Sequence, residues 1–365
     1  MSEVAQAPQL RFPEFIGEWD VTNFGNISSI KRGASPRPIS SPKWFDKDSS
    51  VGWVRISDVT KSKKYLKKTE QYLSEDGINR SRKVDKGNLI MSICATIGKP
   101  IYTNFNVCIH DGFIVFDSLS EDKGFIYYLL EKIQKKWYRY GQPGTQVNLN
   151  SDIVSSEIFS IPTKPEQQKI AAFLAAVDSK IEQLSKKQEL LGEYKKGSMQ
   201  QIFSQAIRFK ADDGSEFPDW EEKKLGGVGR IRKGSQLNKS ELTDTGDYPA
   251  INGGINPSGY TDKWNTGKNT ITISEGGNSC GYINFITSKF WSGGHCYSIE
   301  ELKGDVLNRF LFQYLKFNEH LIMRLRVGSG LPNIQKGEIN NFKVNLPSLE
   351  EQTKIANFLS SIDSK

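Results

Sequence analysis

Residues 162–180 read PTKPEQQKIAAFLAAVDSK, and residues 347–365 read PSLEEQTKIANFLSSIDSK. The two stretches agree at eleven of nineteen positions. Each opens like a helix N-terminus. Thr163 and Ser348 are candidate N-caps, and Glu166 and Glu351 follow three residues later, the spacing of a reciprocal capping box. Pro165 suits a first turn, where a missing N–H breaks no bond. Further on, Ile170, Leu174, Val177, Ile181, Leu184, Gln188, Leu191, Lys195, Ser198 and Ile202 alternate by four and three, and seven of the ten are apolar. That alternation predicts a coiled-coil seam. A helix from Thr163 to Ile207 would be roughly 65 Å long at 1.5 Å per residue, and its apolar stripe needs a partner.

A second echo lies upstream of each copy. The stretch from Trp19 to Ile30-Lys31-Arg32-Gly33 recurs from Trp220 to Ile231-Arg232-Lys233-Gly234. The echoes keep their order, so one unit is written twice. Two long copies are too few for a solenoid. Between the echoes the halves diverge, and the second is sixteen residues shorter in its middle. Alike at the ends and different in the middle is what two binding modules with distinct ligands would show.

The pattern predicts an α+β protein: two β-rich globular domains with short helices, joined and spaced by long coiled-coil-type helices in a pseudo-two-fold repeat. The expected boundaries are 1–161 for the first domain, 162–209 for the central helix, 210–346 for the second domain and 347–365 for the start of a second long helix. Predicted strands include Trp53–Ile56, Leu89–Ile93 and Phe113–Phe116, then Ile271–Ile273 and Cys296–Ile299. Helices are predicted over Gly124–Trp137 and around Arg309–Met323.

Composition bounds the function. A hydrophobic share of 37% and a charged share of 25% describe an ordinary soluble chain of two-domain length. No run of about eighteen apolar residues suggests a membrane span, and the opening MSEVAQAPQL lacks signal-peptide regions. A cytoplasmic protein with no membrane partner is expected. The net charge of +7 suits a polyanion. Between Trp53 and Lys99 eleven Lys or Arg stand against five Asp or Glu. Cys94, Cys108, Cys280 and Cys296 lack zinc-site spacing and read as free thiols, so no metal site is expected.

Catalytic motifs are not evident. There is no phosphate-binding loop and no G-x-S-x-G elbow. What remains is recognition chemistry. Lys31, Arg32 and Gly33, and their twins Arg232, Lys233 and Gly234, put two cations before a glycine where backbone can approach a phosphate. Arg37 follows on a proline-stiffened loop. Arg55, Ser57, Asp58 and Thr60 offer groups that bond base edges or phosphate. Arg80, Arg82 and Lys83 form another basic loop. Gln142, Thr145 and Gln146 sit on a glycine-rich loop whose counterpart carries Ser329 and Asn333. These are the candidate DNA-binding residues.

The Phe12-Pro13-Glu14-Phe15…Trp19 and Phe217-Pro218-Asp219-Trp220 openings, the Lys-Arg-Gly and Arg-Lys-Gly turns, and the doubled Glu-Gln-x-Lys-Ile-Ala-x-Phe-Leu helix starts carry a resemblance. The chain resembles the specificity (S) subunit of type I restriction–modification systems. Trp53–Thr60 and His110-Asp111-Gly112-Phe113 resemble one subtype of the first recognition domain. The resemblance implies two target recognition domains, each reading one half of a bipartite double-stranded DNA sequence, with paired helices setting their separation. It implies a non-catalytic subunit that binds no cofactor. The modification (M) subunits that it docks use S-adenosylmethionine, and the restriction (R) subunits use ATP and Mg. A second helix shorter than the first would weaken helix pairing and M-subunit docking. A stand-alone DNA-binding regulator or anti-restriction decoy on the same scaffold is the alternative.

Overall fold

Apolar side chains on both faces of a strand require two cores, one on each side of its sheet. Leu89–Ser92 is buried throughout, and its residues divide that way. Leu89 and Met91 join Phe24, Ile114, Phe116, Leu130 and Trp137 in one core. Ile90 joins Val54, Ile101, Ile109, Phe113 and Val115 in another. The computed structural model describes residues 8–140, 149–328 and 330–365. It divides into two compact units, 1–183 and 184–365. The boundary falls inside the central helix.

In the first unit a five-stranded sheet runs in the order Ser29–Arg32, Phe113–Asp117, Leu89–Ser92, Pro100–Thr103, Tyr65–Leu66. A four-stranded sheet orders Gln71–Tyr72, Gly52–Val54, Val107–Ile109 and Arg82–Val84. The second unit repeats the first sheet with four strands, Arg230–Lys233, Cys296–Glu300, Thr270–Ser274 and Ile283–Ile286. Here Ile271, Ile273, Tyr297 and Ile299 face the large core. The opposite face buries Thr272, Ser274 and Ser298 beside a small apolar cluster of Ile251, Ile286, Phe290 and Cys296. The shorter second half thus carries a smaller apolar core on this face, with hydroxyls filling part of it.

Sequence divergence in the middle of each half leaves the backbone frame intact. Arg32 pairs with Ile114 as Lys233 pairs with Tyr297. The Gly33 N–H donates to Phe113 O, and the Gly234 N–H to Cys296 O, both at 2.8 Å. Leu149 N–H reaches Ile93 O at 3.1 Å, as Ile334 N–H reaches Glu275 O at 2.8 Å.

The duplicated helix starts have a physical explanation. Gln167 and Gln352 are buried and clamp their unit together. The Gln167 amide accepts from Asp122 N–H and donates to Pro162 O; that of Gln352 accepts from Leu307 N–H and donates to Pro347 O. The second capping box is only half formed. Ser348 caps by accepting from Glu351 N–H, but the glutamate carboxylates turn elsewhere. Glu166 makes a two-pronged bond with Arg11, both contacts at 2.7 Å. Glu351 does the same with Arg208 at 3.2 and 2.9 Å and also accepts from Trp220 Nε1. A buried carboxylate gains more from a guanidinium fork than from one backbone N–H.

The central helix spans Lys164–Phe203, 40 residues, roughly 60 Å. It stops short of Ile207 because Gln205 takes φ +62° and Ile207 N–H folds back onto Gln201 O. The predicted strand Trp53–Ile56 ends at Val54 and gives way to a short helix, Ile56–Lys61. The helix expected over Arg309–Met323 is broken into Asn308–Phe317 and Glu319–Met323. Cys108, Cys280 and Cys296 are buried free thiols and Cys94 is half-buried. No helix of the described residues is long and apolar enough to cross a membrane.

Candidate nucleic-acid interface

Two connections and the start of a third segment meet at the same end of the repeated sheet in each unit. One follows the strand Leu89–Ser92 or Thr270–Ser274. Another precedes Phe113 or Cys296. The third segment enters at Leu149 or Ile334, whose N–H groups reach Ile93 O and Glu275 O. Their shared frame is fixed by backbone bonds: Ile93 N–H donates to Gly112 O, and Glu275 N–H to His295 O. Loops held by a rigid sheet are where recognition groups are normally carried.

In the first unit the centre of this end is His110-Asp111. Arg32 Nε donates to Asp111 O at 2.7 Å, Ser35 Oγ to Asp111 Oδ1 at 2.8 Å, and Arg37 lies 3.6 Å from Asp111 Oδ2. Arg82 Nε donates to Arg32 O. His110 packs on Trp53 and Phe113 and accepts Gly112 N–H at 2.9 Å through Nδ1. Burial holds its imidazole below the ordinary value; Asp111 opposes that fall and Arg55 adds to it. Burial alone would raise Asp111, but the Ser35 hydrogen bond and the nearby His110 and Arg37 bring it below the usual carboxylate value. Arg55 is exposed and bonds Gln71 Oε1 at 3.0 Å. Thr60 meets Thr96 of the neighbouring connection at 3.1 Å. Arg32, Arg37, Arg55, Thr60 and Arg82 are therefore gathered around one loop end. Lys83 is exposed and has no ion pair among the described residues.

Several of the candidate readers also bond within the fold. Lys31 and Arg232 occupy equivalent positions and pair with the carboxylate on the adjacent strand, Asp117 and Glu300. Arg232 also donates to Asn265 O and Thr266 Oγ1 and is only 30% exposed. Gly33 and Gly234 leave no room for a side chain. A Cβ on Gly33 would sit 2.0 Å from His110 O, and one on Gly234 2.2 Å from Gly293 O. The glycines permit a strand crossing inside the protein. Asp58 is buried and accepts Arg55 N–H at 2.8 Å, closing the first turn of the short helix. Arg80 stacks over the Trp44 ring. Ser57 is exposed on that short helix. Gln142, Thr145, Gln146 and Ser329 lie outside the described residues.

In the second unit Lys233 donates to Glu275 Oε1 at 2.6 Å, and Tyr297 OH donates to the same oxygen at 3.0 Å. Asn333 pairs through its backbone with Val327 and leaves its side chain exposed. Neither Asp111 nor Glu275 was among the candidates, because no spacing rule links them to the turn glycines. The frame that joins them is tertiary.

A family model described as "Type I restriction modification DNA specificity domain" matches residues 16–191 and 218–365. A Mycoplasma pneumoniae protein named as a type I specificity subunit is 34% identical over 147 residues, 40% of this chain and 39% of that protein. The type I restriction enzyme MjaVIII specificity subunit of Methanocaldococcus jannaschii is 24% identical over 97% of this chain and 88% of its own length. The crystal structure of a type I restriction–modification S subunit from M. genitalium superposes with a TM-score of 0.69 at 18% identity, covering 98% of this chain and 92% of that one. That likeness fixes the fold: two similar α+β units built around a long helix.

Proposed function

This chain belongs to the type I restriction–modification DNA specificity family, and on that ground we propose that it selects DNA sequence for enzymes carried on other chains. Each unit reads one half of a bipartite double-stranded target. Modification and restriction subunits supply the chemistry, together with S-adenosylmethionine, ATP and magnesium, and the chain itself binds none of these and works in the cytoplasm. The observation that carries this reading is the repeated loop end. One backbone frame is built twice, yet it presents Arg32, Arg37 and Asp111 in one unit and Lys233, His295 and Glu275 in the other. Equal scaffolds with unequal side chains suit an asymmetric target. The cations gathered at the first loop end suit phosphate, which positions a reader, while the polar groups among them suit base edges, which specify sequence.

The test is selection from a randomised duplex pool by the full chain together with a type I modification subunit. The expected result is a two-part motif with an unspecified spacer. Recovery of DNA without any sequence preference would overturn the proposal.

A further inference from the structure

The two units share backbone bonds at the loop end but not its chemistry. In the first, Ile93 donates its N–H to Gly112 O and accepts Leu149 N–H on its own carbonyl. In the second, Glu275 fills both roles, donating to His295 O at 2.9 Å and accepting Ile334 N–H at 2.8 Å. An isoleucine therefore satisfies this frame. A glutamate adds a carboxylate that the fold must bury, for Glu275 is only 5% exposed. Its Oε1 is met by Lys233 and Tyr297. Its Oε2 is buried and finds no hydrogen-bond partner among the described residues. His295 Nδ1 stands 3.5 Å from that oxygen on a side chain that is 64% exposed.

A buried acceptor left unmet destabilises the free protein, and the isoleucine twin shows that the frame does not demand it. We propose that Glu275 is a specificity-determining residue of the second unit, its Oε2 accepting a hydrogen bond from the exocyclic amine of a base, cytosine N4 or adenine N6, at the major-groove edge. Lys233 and Tyr297 hold the other oxygen and so aim the carboxylate. The exposed His295 ring turns aside to admit the base. This inference rests on the DNA-reading function proposed above.

The same selection, run with the full chain and its modification subunit, tests it. Glu275→Gln is expected to lower the preference at one base pair of one half-site by about tenfold, with the other positions unchanged. The identity of that pair distinguishes adenine from cytosine. Glu275→Ile, which copies Ile93, is expected to melt like the wild type and to lose the same preference. His295→Ala is expected to keep it. A folded Glu275 variant that retains every wild-type preference overturns the assignment, as does failure of both variants to fold, which would make the carboxylate structural. Loss of that preference in His295→Ala alone would also overturn it. A wild-type complex that selects no motif removes the DNA-reading premise itself.

Discussion

Arg32 and its twin Lys233 show how a repeated residue can divide its work. The neighbouring cations Lys31 and Arg232 neutralise a strand carboxylate in both units, while Arg32 spends one N–H on Asp111 O and stays exposed. Arg32→Ala should therefore weaken DNA binding across all sequences and lower the salt dependence by about one counterion. An unchanged slope of log K against log salt would reject a phosphate contact. His110 makes a pH prediction. Its burial depresses the folded-state value below 6.5, so the unfolded chain takes up the proton first. The stability it contributes is full above about pH 6.5 and is lost as pH falls through the folded value. Melting temperature should decline over that acidic window, and His110→Gln should flatten the decline. An equal decline in both proteins would place the titrating group elsewhere.

At the scale of elements, the central helix carries the clearest open question of partnership. Val177, Ile181 and Leu184 are 39%, 58% and 52% exposed. Towards its end the stripe is used: Ile202 and Phe203 enter the second core, with Leu191 and Met199 packed against it. A seam that is packed near both ends but exposed from Val177 to Leu184 retains an apolar surface that water does not favour. Ile181→Lys should change unfolding free energy by no more than about 0.5 kcal/mol, as for other exposed sites. It should nevertheless reduce co-purification of the modification subunit. Undiminished recovery of that subunit would show that docking does not use the seam. The periodicity of this helix was legible from its sequence because a long amphipathic element repeats one signal many times. The short helix Ile56–Lys61 was not, since Val54, Ile56 and Val59 have the β-branched character of a strand. It forms because Asp58 closes its first turn and Lys99 Nζ donates to Val59 O and Ser62 O at its end.

For the whole molecule, two units with separate cores should act as separate readers. Exchanging residues 217–346 for another recognition domain should change one half of the selected motif. A change in both halves would mean that the readers are not independent. The sequence by itself determined the duplication, the strongly periodic central helix and the strands of the sheet core. All three are local or repeated patterns, so they survive without knowledge of contacts. Only the tertiary structure decided which partners the repeated residues meet within the fold. Lys31, Arg232, Gly33 and Gly234 resembled ligand-binding turns, but strand pairing places a carboxylate against each first cation and a carbonyl against each glycine. Glu166 and Glu351 had capping-box spacing, but residues 155 and 143 positions away supply their guanidinium partners. Asp111 and Glu275 lie in diverged sequence and meet their partners only through the sheet. Spacing along a chain reports what a residue's neighbours permit, whereas the partner of a charge is chosen by whichever strand folding brings within three ångströms.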